Sequence, residues 1–266
     1  MPTQHTRHRL LGIEVDTLTI PDLNALVADA VPEANPTRLI AHHNLHSLYL
    51  CPSSPKMQRL YDRADYIHID GMSLVMLGRW LDVPLQPEHR VTYVDWIGPL
   101  LQEADEHAWR IFYLGAKPGV IDQGVATVRE RYPRLRIEGR DGYFDPSGAE
   151  NERILEQINA FQPDVLMVGM GMPRQEAWIL DNIDRVDAPV ILPCGACIDY
   201  IAGAVPTPPR WMGRAGLEWL YRLLQEPRRL WRRCFIEPWW ALWLFVQEAY
   251  GPKGLWANAE RGGPGQ

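Results

Sequence analysis

Short apolar runs without polar alternation recur along the chain, separated by longer amphipathic stretches. Residues 165–168 (Val-Leu-Met-Val) form such a run. An unbroken apolar run of that length suits a strand buried on both faces of a parallel sheet. Shorter or less uniform apolar segments at 37–41, 66–69, 109–114, 135–138 and 190–192 predict further strands. Helical spacing predicts helices over 19–31, 55–64, 72–81, 94–107, 120–131 and 150–161, and a short one between Gly195 and Gly203. The first of these opens on Thr19-Ile-Pro-Asp22, a helix-start signal. Strands alternating with helices at this spacing predict an α/β fold, a Rossmann-like parallel sheet covered by helices. All strand ends then fall along one edge. No internal repeat is present.

The corner at 164–175 marks that edge most clearly. Gly169 and Gly171 allow a sharp turn after the strand. Pro173 reads as the first position of the next helix, placing Arg174, Gln175 and Glu176 in its first turn beside free backbone N–H groups. Open α/β sheets bind ligands, phosphorylated ones above all, at such corners. The spacing lacks the third glycine of the dinucleotide fingerprint, so an ordinary strand-to-helix turn fits it equally well.

Beyond the Pro-rich stretch Ala202-Gly-Ala-Val-Pro-Thr-Pro-Pro209, which reads as a linker, the pattern changes. Arg210, Arg214, Glu218, Arg222 and Glu226 form one charged helical row, and Pro227 ends that helix. Arg228, Arg229, Arg232 and Arg233 form a basic face, followed by an apolar, Trp-rich run over 235–245 that Glu237 and Pro238 interrupt. The expected organisation is a Rossmann-like α/β domain over 1–205, a basic helical, membrane-associating appendage over 206–256 and a disordered tail over 257–266.

Composition sharpens this division. The net charge of −6 conceals a segment, 206–233, with seven arginines against two glutamates, while the first 205 residues carry −10. Seven of the eleven tryptophans follow the linker. Trp beside Arg suits an interfacial membrane segment, and a helical subdomain packed on the sheet is the alternative. No run reaches the roughly 18 apolar residues of a membrane span. The polar N-terminus lacks a signal-peptide pattern, and four cysteines without a disulfide framework point to a reducing cytoplasm.

Asp70 follows an apolar strand and precedes a glycine, where a carboxylate suits a general base or, equally, a helix N-cap. His42, His43 and His46 have no further ligand close in sequence, so a zinc site is not expected. Cys194-Gly-Ala-Cys197 has redox spacing but reads better as small buried residues after a strand. No Asp-x-Asp occurs, so a pyrophosphate would be neutralised by helix N-termini and Arg or Lys side chains.

Several ordered motifs together resemble one known family. They are Asp65-Tyr-Ile-His-Ile-Asp-Gly71, Arg90-Val-Thr92, Phe112-Tyr-Leu-Gly-Ala-Lys-Pro-Gly119, Gly142-Tyr-Phe-Asp145 and Val168-Gly-Met-Gly-Met-Pro-Arg-Gln-Glu176. Ala202-Gly203, Pro209-Arg-Trp211, Gly216-Leu-Glu-Trp-Leu-Tyr-Arg222 and Glu226-Pro-x-Arg229 continue the match, which spans about 11–233. The chain is similar to the WecG/TagA/CpsF family of bacterial glycosyltransferases.

The resemblance implies inverting, metal-independent transfer of a hexose-type sugar from a UDP-sugar to a polyprenyl-diphosphate-linked saccharide. Candidate donors are UDP-glucose, UDP-N-acetylmannosamine and its uronic acid; candidate products are exopolysaccharide, capsule and cell-wall polymers. It implies a peripheral position on the cytoplasmic face of the inner membrane, with the appendage seated on an anionic surface. It carries Asp70 over as base, with Asn44 and Gln175 as polar active-site residues. Gly115, Lys117, Gly169, Gly171 and Arg90 become candidate donor contacts, and Arg222, Arg229 and Arg232 candidate acceptor or membrane contacts. No metal, organic cofactor or nucleic acid is implied, and oligomeric state is left open. The chain departs from the family's frequent Thr-x-Asn at His42-His43-Asn44, which leaves the contact at position 42 unassigned. The competing classes are a non-catalytic nucleotide-binding membrane module and an NAD-dependent oxidoreductase. The missing third glycine, and the lack of an acidic strand end about 20 residues on, argue against the latter.

Overall fold

The computed structural model describes residues 6–33, 36–207, 212 and 218–250. A hairpin of β1 (Arg7–Leu10) and β2 (Ile13–Asp16) precedes a six-stranded, all-parallel sheet. The sheet strands are β3 (Arg38–His43), β4 (Tyr66–Ile69), β5 (Arg110–Gly115), β6 (Arg136–Arg140), β7 (Val165–Gly169) and β8 (Val190–Pro193). Their spatial order is β4-β3-β8-β7-β5-β6.

Side-chain alternation along these strands divides the core into two layers. Leu39, Ala41, Phe112, Leu114, Leu166 and Val168 pack on one face with α3 (Pro55–Arg63), α4 (Met72–Trp80), α7 (Ala149–Phe161) and α8 (Arg174–Asn182). Ile40, Ile111, Tyr113, Val165, Met167 and Leu192 pack on the other with α1 (Ile20–Ala30), α5 (Tyr93–Glu106), α6 (Val120–Arg131) and α9 (Cys197–Ile201). The expected α/β architecture is therefore present, with both faces covered.

Several elements differ from the expected pattern. The N-terminal hairpin is additional. It is pinned by Asp16, which is fully buried, accepts two hydrogen bonds from Arg7 at 2.9 Å and accepts a third from the Ile67 backbone N–H at 2.7 Å. A six-residue helix, α2 (Leu45–Leu50), follows β3 almost directly, so His42 and His46 lie on different elements. Pro173 sits one residue before α8.

Three C-terminal helices follow, α10 (Glu218–Gln225), α11 (Pro227–Phe235) and α12 (Glu237–Tyr250). Pro227 opens α11, and Pro238 lies in the first turn of α12, where its missing N–H is harmless. The last helix docks on α2 and α4: Ala241 and Leu244 are buried in the core, Trp240 meets Tyr49 edge to face, and Phe245 meets Trp80. Arg210, Arg214, most of the linker's end and the expected tail at 257–266 lie outside the described residues.

Removing Asp16 should strand the Arg7 guanidinium and an internal N–H together. Asp16→Ala is expected to cost about 2–4 kcal/mol in urea unfolding. A change within about 0.5 kcal/mol, the range of an ordinary surface substitution, would show that the hairpin is not held this way.

Candidate active site

A cavity of about 620 Å³ opens on the carboxyl edge of the sheet. Its floor is His42 near the end of β3 and Asn44 just after it, Asp70 after β4, Gly171 and Gln175 after β7, and Cys194 and Gly195 after β8. Thr92 and Tyr93 form one wall, and Arg222, Arg232, Arg233 and Glu237 reach in from α10 to α12.

Asn44 sets the local geometry. It is the N-cap of α2, where Ser47 N–H donates to its Oδ1 at 3.0 Å and its own N–H donates to Ser47 Oγ at 2.9 Å. Capping uses the amide oxygen, so Nδ2 is left to donate to Asp70 Oδ2 at 3.1 Å. Asp70 itself caps nothing: Gly71 is the N-cap of α4, without a side-chain bond. Of the two readings open for Asp70, the structure thus removes the cap. Its side chain is 23% exposed, enough to meet a ligand.

His42 lies beside this pair. Its Nδ1 stands 3.0 Å from the Pro193 carbonyl oxygen, an acceptor, so Nδ1 carries the proton and neutral Nε2 presents a lone pair. Nε2 is 3.9 Å from Asp70 Oδ2. Burial pushes the His42 imidazole down, against the opposing pull of Asp70. His43 and His68, both fully buried, are pushed down to about 3, chiefly by burial. All three rings are therefore neutral at neutral pH, and none is poised as a cation.

Gln175 braces the turns beside the cavity. It is fully buried, and its Oε1 accepts from Gly171 N–H at 3.0 Å and Gly195 N–H at 3.1 Å. One amide oxygen thereby ties the β7 turn to the β8 turn. Its Nε2 donates to Glu176 Oε1 at 2.8 Å.

The expected contacts separate into groups. Asp70, Asn44, Gln175, Gly171, Arg222 and Arg232 all line the cavity. Gly115 and Gly169 do not; a Cβ on Gly115 would fall 2.3 Å from the Gly169 carbonyl oxygen, so their smallness serves strand packing. Lys117 is exposed in the following turn, outside the lining. Arg90 faces a neighbouring chamber and pairs with Asp95 at 2.8 Å. Arg229 lies on α11, with its side chain outside the described set. Cys194 and Cys197 are buried with raised thiols, contrary to a redox pair, whose thiolate must form readily.

Sequence reasoning assigned no site role to Arg233, Glu237 and His46. Arg233 is drawn down by burial and by the like charge of Arg222, while Glu237 and Asp70 act against this. A guanidinium keeps its charge even so, which leaves two adjacent cations facing one cavity. His46 Nδ1 bonds Glu237 Oε1 at 2.7 Å and so fastens α12 to α2. Glu237 Oε2 is buried without a hydrogen-bond partner among the described residues. The signals in the sequence were Arg233 within a basic face, Glu237 interrupting an apolar run and His46 close to two other histidines.

Glu176 yields a stability prediction. Burial raises its carboxyl to about 7, above the usual carboxylate range. A raised acid stabilises the fold fully below its unfolded pKa of about 4.3 and loses that contribution as pH rises through about 7. Relative to Glu176→Gln, the native chain should lose up to about 3 kcal/mol between pH 4.5 and 8, measured by urea unfolding at each pH. A pH-independent difference would refute a buried, proton-linked Glu176.

The family model described as "Glycosyl transferase WecG/TagA/CpsF family" matches residues 8–254. Proteins of Staphylococcus aureus strains MW2, NCTC 8325 / PS 47 and MRSA252 are each 28% identical over 233 residues, covering 84% of this chain and 86% of theirs. Each is named N-acetylglucosaminyldiphosphoundecaprenol N-acetyl-beta-D-mannosaminyltransferase. A match across nearly the whole chain, over a site with a partly exposed carboxylate beneath paired arginines, makes this protein a glycosyltransferase of the WecG/TagA/CpsF family.

Proposed function

We propose that the enzyme transfers N-acetylmannosamine from its UDP derivative to a polyprenyl-diphosphate-linked N-acetylglucosamine, with inversion and without a metal. The single observation that carries this reading is Asp70 itself, oriented by Asn44 and set beneath Arg222 and Arg233. Asn44 occupies Oδ2, leaving Oδ1 to take the proton of the acceptor hydroxyl. The hydroxyl oxygen forms the new bond to the anomeric carbon. The carbon–oxygen bond to UDP breaks, and UDP leaves with that electron pair. Arg232 supplies positive charge to the departing diphosphate, the task a metal performs in other designs. Neutral His42, with its Nε2 lone pair towards Asp70, accepts a hydrogen bond from a sugar hydroxyl or amide. The sugar assignment follows the S. aureus relatives' name.

Asp70→Asn should fold normally and still bind UDP, yet lose on the order of 100-fold or more in turnover. The measurement is UDP release from UDP-N-acetylmannosamine with a lipid-linked acceptor. Turnover near that of the native enzyme would remove Asp70 from the base role, and no UDP release with any acceptor would favour a non-catalytic nucleotide-binding module.

We also infer that the C-terminal helices seat the enzyme on an anionic membrane from the cytoplasmic side. No helix among the described residues is long and apolar enough to cross a bilayer. Trp231, Trp239 and Trp243 are exposed on α11 and α12, near exposed Arg228. Interfacial Trp and basic side chains favour such a surface, at roughly 1 kcal/mol for each basic residue. Arg228→Glu with Trp239→Ala should reduce co-sedimentation with anionic liposomes several-fold, and the Arg228 share of that loss should be larger at low salt. Undiminished sedimentation would leave α10 to α12 as a packed subdomain only.

A further inference from the structure

A second chamber, also of about 620 Å³, lies on the other side of Asp70 between α4 and the C-terminal helices. The two chambers share Asp70, Arg222 and Arg233 in their common wall. Away from that wall the second chamber turns apolar. Met72, Met76 and Trp80 of α4 line it together with Trp219, Ala241 and Leu242 of α10 and α12. The Arg90 guanidinium on its lining pairs with Asp95, so it does not compete with Arg222 and Arg233 as an anion site.

The lining brings together the Asp70 and Glu237 carboxylates, the Arg222 and Arg233 guanidinium groups and a wall of apolar side chains. An amphiphile built of saccharide, diphosphate and hydrocarbon presents the groups complementary to these three. Met76, Trp80, Trp219 and Leu242 are themselves large, apolar and between 43% and 63% exposed, so they mark the chamber's outer end. Exposed apolar surface of this kind, continuous with a charged site, marks a place where something apolar docks. A hydrocarbon leaving the chamber there meets the outer face that carries Trp239 and Trp243.

Resting on the glycosyl-transfer reading above, we propose that this second chamber holds the first isoprene units of the polyprenyl diphosphate acceptor, with the diphosphate at Arg222 and Arg233 and the reacting saccharide at Asp70. The UDP-sugar then occupies the first chamber, and the two substrates meet across the Asp70 carboxylate. Charge complementarity fixes the diphosphate, and continuity of the apolar wall fixes the direction of the chain. No covalent step is added to the reaction.

The test separates binding from transfer. Farnesyl diphosphate and inorganic diphosphate are titrated into the full chain, with tryptophan fluorescence as the readout. Farnesyl diphosphate should bind at least tenfold more tightly. That advantage should shrink to less than threefold in a Met76→Gln, Leu242→Gln double variant, whose two sites are partly exposed and tolerate a polar side chain without loss of core. Affinity for inorganic diphosphate should not move, a pattern that general destabilisation would not produce. In transfer assays with farnesyl-length and methyl-capped acceptors, the variant should raise KM at least tenfold for the former alone, leaving kcat and the donor KM unchanged. Equal binding of the two diphosphates by the native chain, or a farnesyl advantage kept by the variant, would overturn the chamber. Tail-dependent binding without sugar transfer to either acceptor would uphold the chamber and overturn the proposed reaction instead.

Discussion

The parallel pairing of β3 with both β4 and β8 makes all three strands leave the sheet on one edge. A parallel ladder cannot return by a tight hairpin, so each strand must end in a turn that leads to a helix. Those turns crowd together, and their backbone groups need partners. Asn44 and Gln175 meet that need with single amides. The Asn44 oxygen caps α2 while its nitrogen holds Asp70. The Gln175 oxygen serves two glycine N–H groups from neighbouring strand ends. The site's polar geometry is thus a by-product of satisfying the strand ends, which gives it rigidity before any ligand arrives.

How far the sequence discloses this depends on the range of the forces involved. The main strands were legible because a strand buried on both faces has no polar alternation to hide it, as 165–168 shows. Asp70 and Asn44 were legible because each directly follows such a strand. The β1–β2 hairpin was not, since two four-residue strands with mixed charge carry little pattern, and what holds them is Asp16 reaching Ile67 across the fold. Gln175 was found by position, but its double acceptance depends on Gly195 arriving beside it. Gly115 and Gly169 were placed among donor contacts because strand packing and ligand approach both require a missing side chain. Arg233 and Glu237 stood out in the sequence but not as site residues, because their meeting with Asp70 depends on how three helices fold back over the sheet, which no local period encodes.

Electrostatics divides the site into complementary halves. The sheet side offers neutral imidazoles and one carboxylate, while the helical side brings the arginines. Burial keeps His42, His43 and His68 uncharged, so they add no repulsion to the cations overhead. The Glu237–His46 contact is the polar fastening between the halves, beside the apolar docking of Trp240 and Phe245.

That fastening has a thermodynamic consequence. The helices that roof the cavity with Arg222 and Arg233 also carry Trp239 and Trp243 on their outer side. A ligand inside and a surface outside therefore act on one shared element. If either binds more tightly when the helices are docked, reciprocity obliges the other to gain affinity by the same factor. Attachment and substrate capture are then two readings of a single equilibrium, and the His46–Glu237 contact helps set its midpoint.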